Sequence, residues 1–321
     1  MRIRNAVLVA LAIGAVMYFG LELQFPREAL HISVKAEALT CIGGEMDTAH
    51  PGECKSGFPI TNSLVTTVIV DLLLVLTILF GVRKAKMVPR GFQNFVELVV
   101  GAFHDFAVGV DKKNVAKFFP FAATAFFLIM LSNLLGLLPG AGSIGMCQVK
   151  AKAAGAGAEV SAEPSRYADW PLTCEAGELL VPYLRAPSAD LNMTLALGLI
   201  SVVLIQYFGL KSLGLGYLTR FFNFREGPMF TVIGFIELIS EFIRVISFAF
   251  RLFGNIFAGE VVLVVLAHLF PYMLPLPFYG FEVFVALMQA VIFSVLTLVF
   301  MSMATQAHGG HDDAEHGAAA H

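Results

Sequence analysis

Charge is what this sequence has least of. Lys, Arg, Asp and Glu make up 14% of the 321 residues and hydrophobic residues 57%, whereas a soluble domain carries about 25% charged residues. With a mean hydropathy of +0.78, so greasy a chain belongs in a bilayer. A net charge of −3 supplies no broad basic field, so nucleic acid is not an expected partner. Gly-rich phosphate loops, nucleophile elbows and zinc-spaced Cys/His sets are all missing, so local signatures for nucleotide hydrolysis, acyl transfer and metal binding are absent. No cofactor or metal is expected. There are only four cysteines, Cys41, Cys54, Cys147 and Cys174. They lie outside every candidate span, in the two most acidic connecting segments. Either they form disulfides in an oxidising compartment or they remain thiols.

What is present is a set of charges in the wrong solvent. Glu237, Glu241, Arg244, Arg251 and Glu260 lie inside one apolar run, residues 229–269. Each charge at the centre of a bilayer helix costs about 2.5–3.5 kcal/mol on insertion scales, so such residues face a cavity, an ion path or a partner. At about 100° per residue, Glu237, Ser240, Arg244, Ser247, Arg251 and Asn255 share one sector of the helix. Glu260 lies about half a turn round from Arg251 and about 14 Å further along the axis, which assigns it to a different pocket.

The remaining spans are read at residues 62–82, 118–138, 190–210 and 278–303. Asp71 sits near the middle of the first, as a partner contact, a route for water or a locally paired side chain. Residues 92–110 read as an amphipathic interfacial helix, with Phe92, Phe95, Val96, Val99, Val100 and Phe103 on its apolar face and His104 solvated. Residues 6–19, after Arg2 and Arg4, fit a signal peptide or a short anchor, and the lack of a clean cleavage site favours the anchor. Residues 140–189 read as a long loop, and Pro271, Pro275 and Pro277 as the turn before the last helix. The last two apolar runs exceed the roughly 20 residues of a perpendicular span and are expected to tilt as a hairpin. Three regions result: 1–58, a signal or anchor helix with an outer acidic segment; 59–306, the membrane domain; and 307–321, a disordered tail with four histidines. The fold class is therefore an all-α polytopic membrane protein with about five transmembrane helices.

Lys and Arg concentrate after the first span and after residue 210. The positive-inside rule places those loops and the C-terminus in the cytoplasm and all four cysteines outside. The basic start lacks the Ser-rich pattern of a transit peptide, which favours a bacterial plasma (inner) membrane. A self-contained transporter predicts an internal repeat, and none is found. A non-conducting scaffold is the other rival reading.

Arg251-Leu252-Phe253-Gly254-Asn255, followed by Ala258-Gly259-Glu260, resembles the signature of subunit a of F-type ATP synthases. Ser132-Asn133-Leu134, Pro187-Ser188-Ala189-Asp190, Gln289-Ala290 and Ser302-Met303-Ala304 agree in order. The resemblance spans roughly residues 59–306. It implies a non-catalytic stator subunit with two offset aqueous half-channels, which exchanges protons with a rotating c-ring and is held in the bilayer beside a peripheral stalk subunit b. Arg251 would be the essential arginine facing the ring. Glu260 and Glu282 would form the outer proton-exchange pair, with Asn133 and Asn192 lining the same half-channel. Gln289 would contact Asn255. Glu237, Glu241, Arg244, Ser240 and Ser247 would line or balance the inner half-channel.

Overall fold

The computed structural model describes residues 33–44, 53–81, 91–138, 141–149, 166–167, 178–214, 216–217, 221, 228–269 and 274–306. Six helices dominate: α1 (Asn62–Gly81), α2 (Phe92–Val110), α3 (Val115–Gly136), α4 (Leu191–Leu213), α5 (Pro228–Leu269) and α6 (Pro275–Thr305). All but α2 are long and apolar enough to cross a membrane. The chain is an all-α polytopic membrane protein. At 1.5 Å per residue the 42 residues of α5 extend about 63 Å, roughly twice the hydrocarbon thickness, so α5 cannot stand upright across it.

α5 and α6 form an antiparallel hairpin. Arg244 lies 4.4 Å over the Phe300 ring, Phe248 packs 5.1 Å from Phe293, and Asn255 bonds Gln289. As α5 advances, its partners on α6 step backwards. Leu252, Ile256, Ala290, Phe293 and Met301 join Phe118, Phe126, Ile129 and Ile205 in one buried core. At Gly198 of α4 an added Cβ would lie 3.0 Å from the Val245 carbonyl; the missing side chain lets the α4 and α5 backbones approach closely. The amphipathic helix α2 docks through Phe103, stacked 4.9 Å from Phe126. Phe92, Phe95, Leu98 and Phe106 stay exposed, so only the C-terminal part of its expected apolar face is covered by protein.

Two expectations are corrected. Residues 140–189 are not a featureless loop. They hold strands β3 (Gly145–Val149), β4 (Arg166–Tyr167) and β5 (Glu178–Pro182), ordered β4–β3–β5 and antiparallel. A second pair, β1 (Ala38–Ile42) and β2 (Phe58–Thr61), is an antiparallel hairpin closed by a Cys41–Cys54 disulfide. Gly57, at φ 89°, fits under the Ile42 carbonyl where a Cβ could not. Pro275 and Pro277, read as turn residues, instead open α6; the first helical turn tolerates proline because its N–H groups lack helical partners anyway. Cys147 lies in β3. The expected anchor at 6–19, the basic Arg83, Lys84, Lys86 and Arg90, Pro271, Cys174 and the expected tail at 307–321 lie outside the described residues.

The segment before α4 is tied down from several sides. Asp190 caps α4 by accepting from the Asn192 N–H at 3.0 Å, and its other oxygen accepts from Ser63 Oγ at 3.0 Å. Asn62 Nδ2 donates to the Pro182 carbonyl and the Arg185 N–H to Thr66 Oγ1. This lattice locks the start of α1 to residues 182–190 and aims the Arg185 side chain at α5.

Candidate functional site

Two separate cavities open along α5. The first, about 250 Å³, is walled by the end of α3, residues 182–186, the start of α6 and the C-terminal half of α5; Arg185, Glu260, Tyr279 and Glu282 supply its polar groups. The second, about 220 Å³, is lined by Ser240, Arg244, Ser247 and Arg251 of α5, with Phe248 of α5 and Leu296 and Phe300 of α6. Arg251 is the last α5 residue of one cavity and Ile256 the first of the other, about 7.5 Å apart along the axis.

In the first cavity, Arg185 grips Glu260. Its Nε and Nη2 donate to the carboxylate at 3.2 and 3.1 Å. Two further donors are used as well: Nη1 bonds the Lys35 carbonyl at 3.1 Å and Nη2 the Ser33 carbonyl at 2.6 Å. Arg185 is 6% exposed and the Glu260 side chain 38%, so the acid is the more open member of the pair. Glu282 is buried on α6 with its carboxyl laid over Gly259; a methyl group at 259 would occupy the carboxyl's own space. Glycine before Glu260 therefore makes room for the second acid.

Near the same site lies Glu37, 7% exposed. Burial pushes its pKa up to about 7; Arg185 pulls it down and Glu260 raises it further. Arg185 and Glu37 were not among the residues singled out from the sequence. Arg185 carried one signal: a basic residue on the side assigned to the outside, abutting the start of a span, against the positive-inside trend. Glu37 carried none, because nothing local links it to residues 185 and 260.

The second cavity collects Ser240, Arg244, Ser247 and Arg251 of the seam. Arg244 pairs with Glu241 one turn away and stacks on Phe300. Arg251 is exposed and, among the described residues, makes no ion pair. Asn255 Nδ2 donates to Gln289 Oε1 at 2.7 Å, the contact expected from the sequence. Six expected residues line neither cavity: Glu241, Asn255 and Gln289, whose contacts are given above, and Glu237, Asn192 and Asn133. Glu237 lies on α5 but does not line the second one. Asn192 is exposed at the start of α4, where its backbone serves the Asp190 cap. Asn133 is fully buried, one turn before Leu137 of the first cavity's wall, and its amide finds no protein partner. Among the described residues, no group of three or more His, Cys, Asp or Glu could hold a metal ion.

A family model described as ATP synthase A chain matches residues 63–302. The chain belongs to that family. Among curated relatives, ATP synthase subunit a of Campylobacter jejuni subsp. doylei is 30% identical over 250 residues, covering 76% of this chain and 89% of the relative. The Moorella thermoacetica subunit a is 27% identical, with 78% and 93% covered. That of Gloeobacter violaceus is 31% identical, with 78% and 86% covered. Membership makes the chain a subunit of the membrane sector of an ATP synthase and a multi-pass membrane protein. The family match includes α1 to α6 up to Ser302, hence both cavities, and leaves β1 and Glu37 ahead of it.

Proposed function

We propose that this subunit is the proton-translocating stator of its ATP synthase, giving two offset aqueous half-channels to a rotating c-ring. The carrying observation is the pair of cavities on one helix, the second ending on α5 at Arg251 and the first beginning at Ile256. A proton from outside enters at Glu260 and Glu282 and passes to a ring carboxylate. After nearly a full turn that carboxylate reaches Arg251 from the other side and releases its proton through the cavity of Ser240, Arg244 and Ser247. Arg251 suits the divide because a guanidinium is a fixed cation: it attracts a carboxylate but does not relay a proton. An exposed guanidinium without an ion pair in a membrane helix calls for an acid from outside the chain. The α5 surface leaves room for such a partner, since only 11% of its span is buried, against 28–39% in the other four. The unpartnered Asn133 amide suits a residue reached by water from the first half-channel. On this reading the subunit itself catalyses nothing, subunit b anchors it, and the membrane is a bacterial inner membrane with the first cavity facing out.

The test is ATP-driven acidification of inverted vesicles carrying the whole complex, wild type against Arg251→Ala, with assembly checked in the same preparation. Loss of pumping in an assembled mutant is the expected result. Normal pumping by an assembled mutant would overturn the role given to Arg251 and with it this reading.

A further inference from the structure

We infer that Glu37, on the N-terminal segment ahead of the family match, is a proton-exchange residue on the outer route to Glu260, presented by Arg185 and the disulfide-closed hairpin. The inference rests on the proposed proton path and extends it to a residue that the path as proposed does not use.

The segment is built into the site. Arg185 holds the Ser33 and Lys35 carbonyls with the same guanidinium that holds Glu260. The Glu37 carbonyl accepts from the Asn62 N–H at 3.0 Å, which fixes residue 37 to the first turn of α1. One residue later β1 begins, and the Cys41–Cys54 bridge closes the hairpin that returns to α1. Lys35, the nearby cation on the same segment, is taken by Glu53 at 3.2 Å. Arg185 from the segment before α4 and Glu260 from α5 are the charges that act on Glu37. Glu282 shares the cavity with Glu260.

One guanidinium thus binds Glu260 and acts through its charge on Glu37. With both ionised the group carries one surplus negative charge in a half-dry place; one proton on either acid makes it neutral. A proton taken from outer water by Glu37 forms an O–H bond there. Passing it on breaks that bond and forms another on Glu260, with no other reactant. An acid that titrates near neutrality both gains and loses its proton readily at the working pH. A purely structural Glu37 makes a different forecast, because glutamine keeps the shape and the backbone contacts and should serve equally well.

The experiment uses the intact complex in liposomes, catalytic sector outward, so that the internal buffer bathes the outer side of subunit a. ATP synthesis is driven at fixed membrane potential while the internal pH is stepped across neutrality. Wild type, Glu37→Gln, Glu37→Asp and Arg251→Ala are compared. The inference expects Glu37→Gln to match wild type at acidic internal pH and to fall several-fold behind as that pH passes neutrality. Glu37→Asp should recover much of the rate with a displaced midpoint. If Glu37→Gln follows the wild-type rate and profile while Arg251→Ala is inactive, the inference fails and the proton path stands. If assembled Arg251→Ala remains active, the path itself fails. Should Glu37→Gln not assemble, Glu37→Asp decides: a displaced midpoint supports the inference and an unchanged profile overturns it.

Discussion

Arg185 and Glu260, 75 residues apart, are joined by two hydrogen bonds of 3.1–3.2 Å, and the arginine is almost wholly buried while the acid is partly open. The pair fastens three pieces of chain: the N-terminal segment through its carbonyls, the lead into α4, and α5. It also sets a charge balance, because the one cation is shared with Glu37.

Removing the cation alone should therefore cost more than removing the pair. Breaking a fully buried ion pair costs about 3–5 kcal/mol; with Glu260 38% exposed, Arg185→Leu is expected to cost about 1–3 kcal/mol. Thermal unfolding of the purified complex measures it. Adding Glu260→Gln should restore part of the loss, since the carboxylate that Arg185 grips is then neutral. A double variant whose loss equals the sum of the single losses would mean that the two side chains are not coupled.

Gly259→Ala attacks geometry rather than charge. The new methyl group claims the position of the Glu282 carboxyl, and the flexible acid must swing off α5. Proton pumping by assembled complex is expected to fall about tenfold, equivalent to about 1.4 kcal/mol in the barrier. Shortening the acid with Glu282→Asp in the Gly259→Ala background should return part of the rate. Wild-type pumping by Gly259→Ala would show that the exact seat of Glu282 does not matter.

The Asn255–Gln289 bond joins α5 to α6 one turn beyond Arg251. Hydrogen bonds between membrane helices average about 0.6 kcal/mol in double-mutant cycles, with a maximum near 1.7. A cycle of Asn255→Leu and Gln289→Leu, read by resistance of the complex to denaturing detergent, should give a coupling in that range. A coupling of zero would reduce the contact to packing.

The membrane bundle was legible in the sequence because length, hydropathy and helical period report locally. The seam Ser240, Arg244, Ser247 and Arg251 fell on one face by angle alone and does line one cavity. Glu260 and Glu282 were brought together by the reversal at the hairpin. The site around Arg185 and Glu260 was less legible because its pieces come from segments distant in the chain. Arg185 reaches Glu260 only after Asp190, Thr66 and Asn62 have fixed the lead into α4. β3 and β5 lie in a Gly- and Ala-rich stretch where composition hides the short alternation of strands. Asn192 looked like a channel residue from its type, while its observed part is a backbone bond within a helix cap.

Two acids outside the spans should bend stability in opposite directions with pH. Glu37 releases its proton near 4.5 when unfolded but holds it to about 7 when folded. The folded state thus binds more protons between these values, and stability should decline as pH rises from about 4.5 to about 7, then level off. The full shift corresponds to an upper bound of about 3.4 kcal/mol. Asp111 behaves conversely. Burial raises its pKa, but bonds from Ser302, Asn114 and the Lys113 N–H outweigh burial and hold it below its ordinary 3.8. Its contribution is present above that value and fades as pH falls through the lower folded one. Denaturation of the purified complex against pH separates the two. Glu37→Gln should flatten the limb between about 4.5 and 7 and leave the acid limb alone, whereas Asp111→Asn should soften only the acid limb. A Glu37→Gln complex that keeps the wild-type slope up to neutrality would mean that Glu37 is already ionised there, and Arg185 would then have two full negative charges to hold.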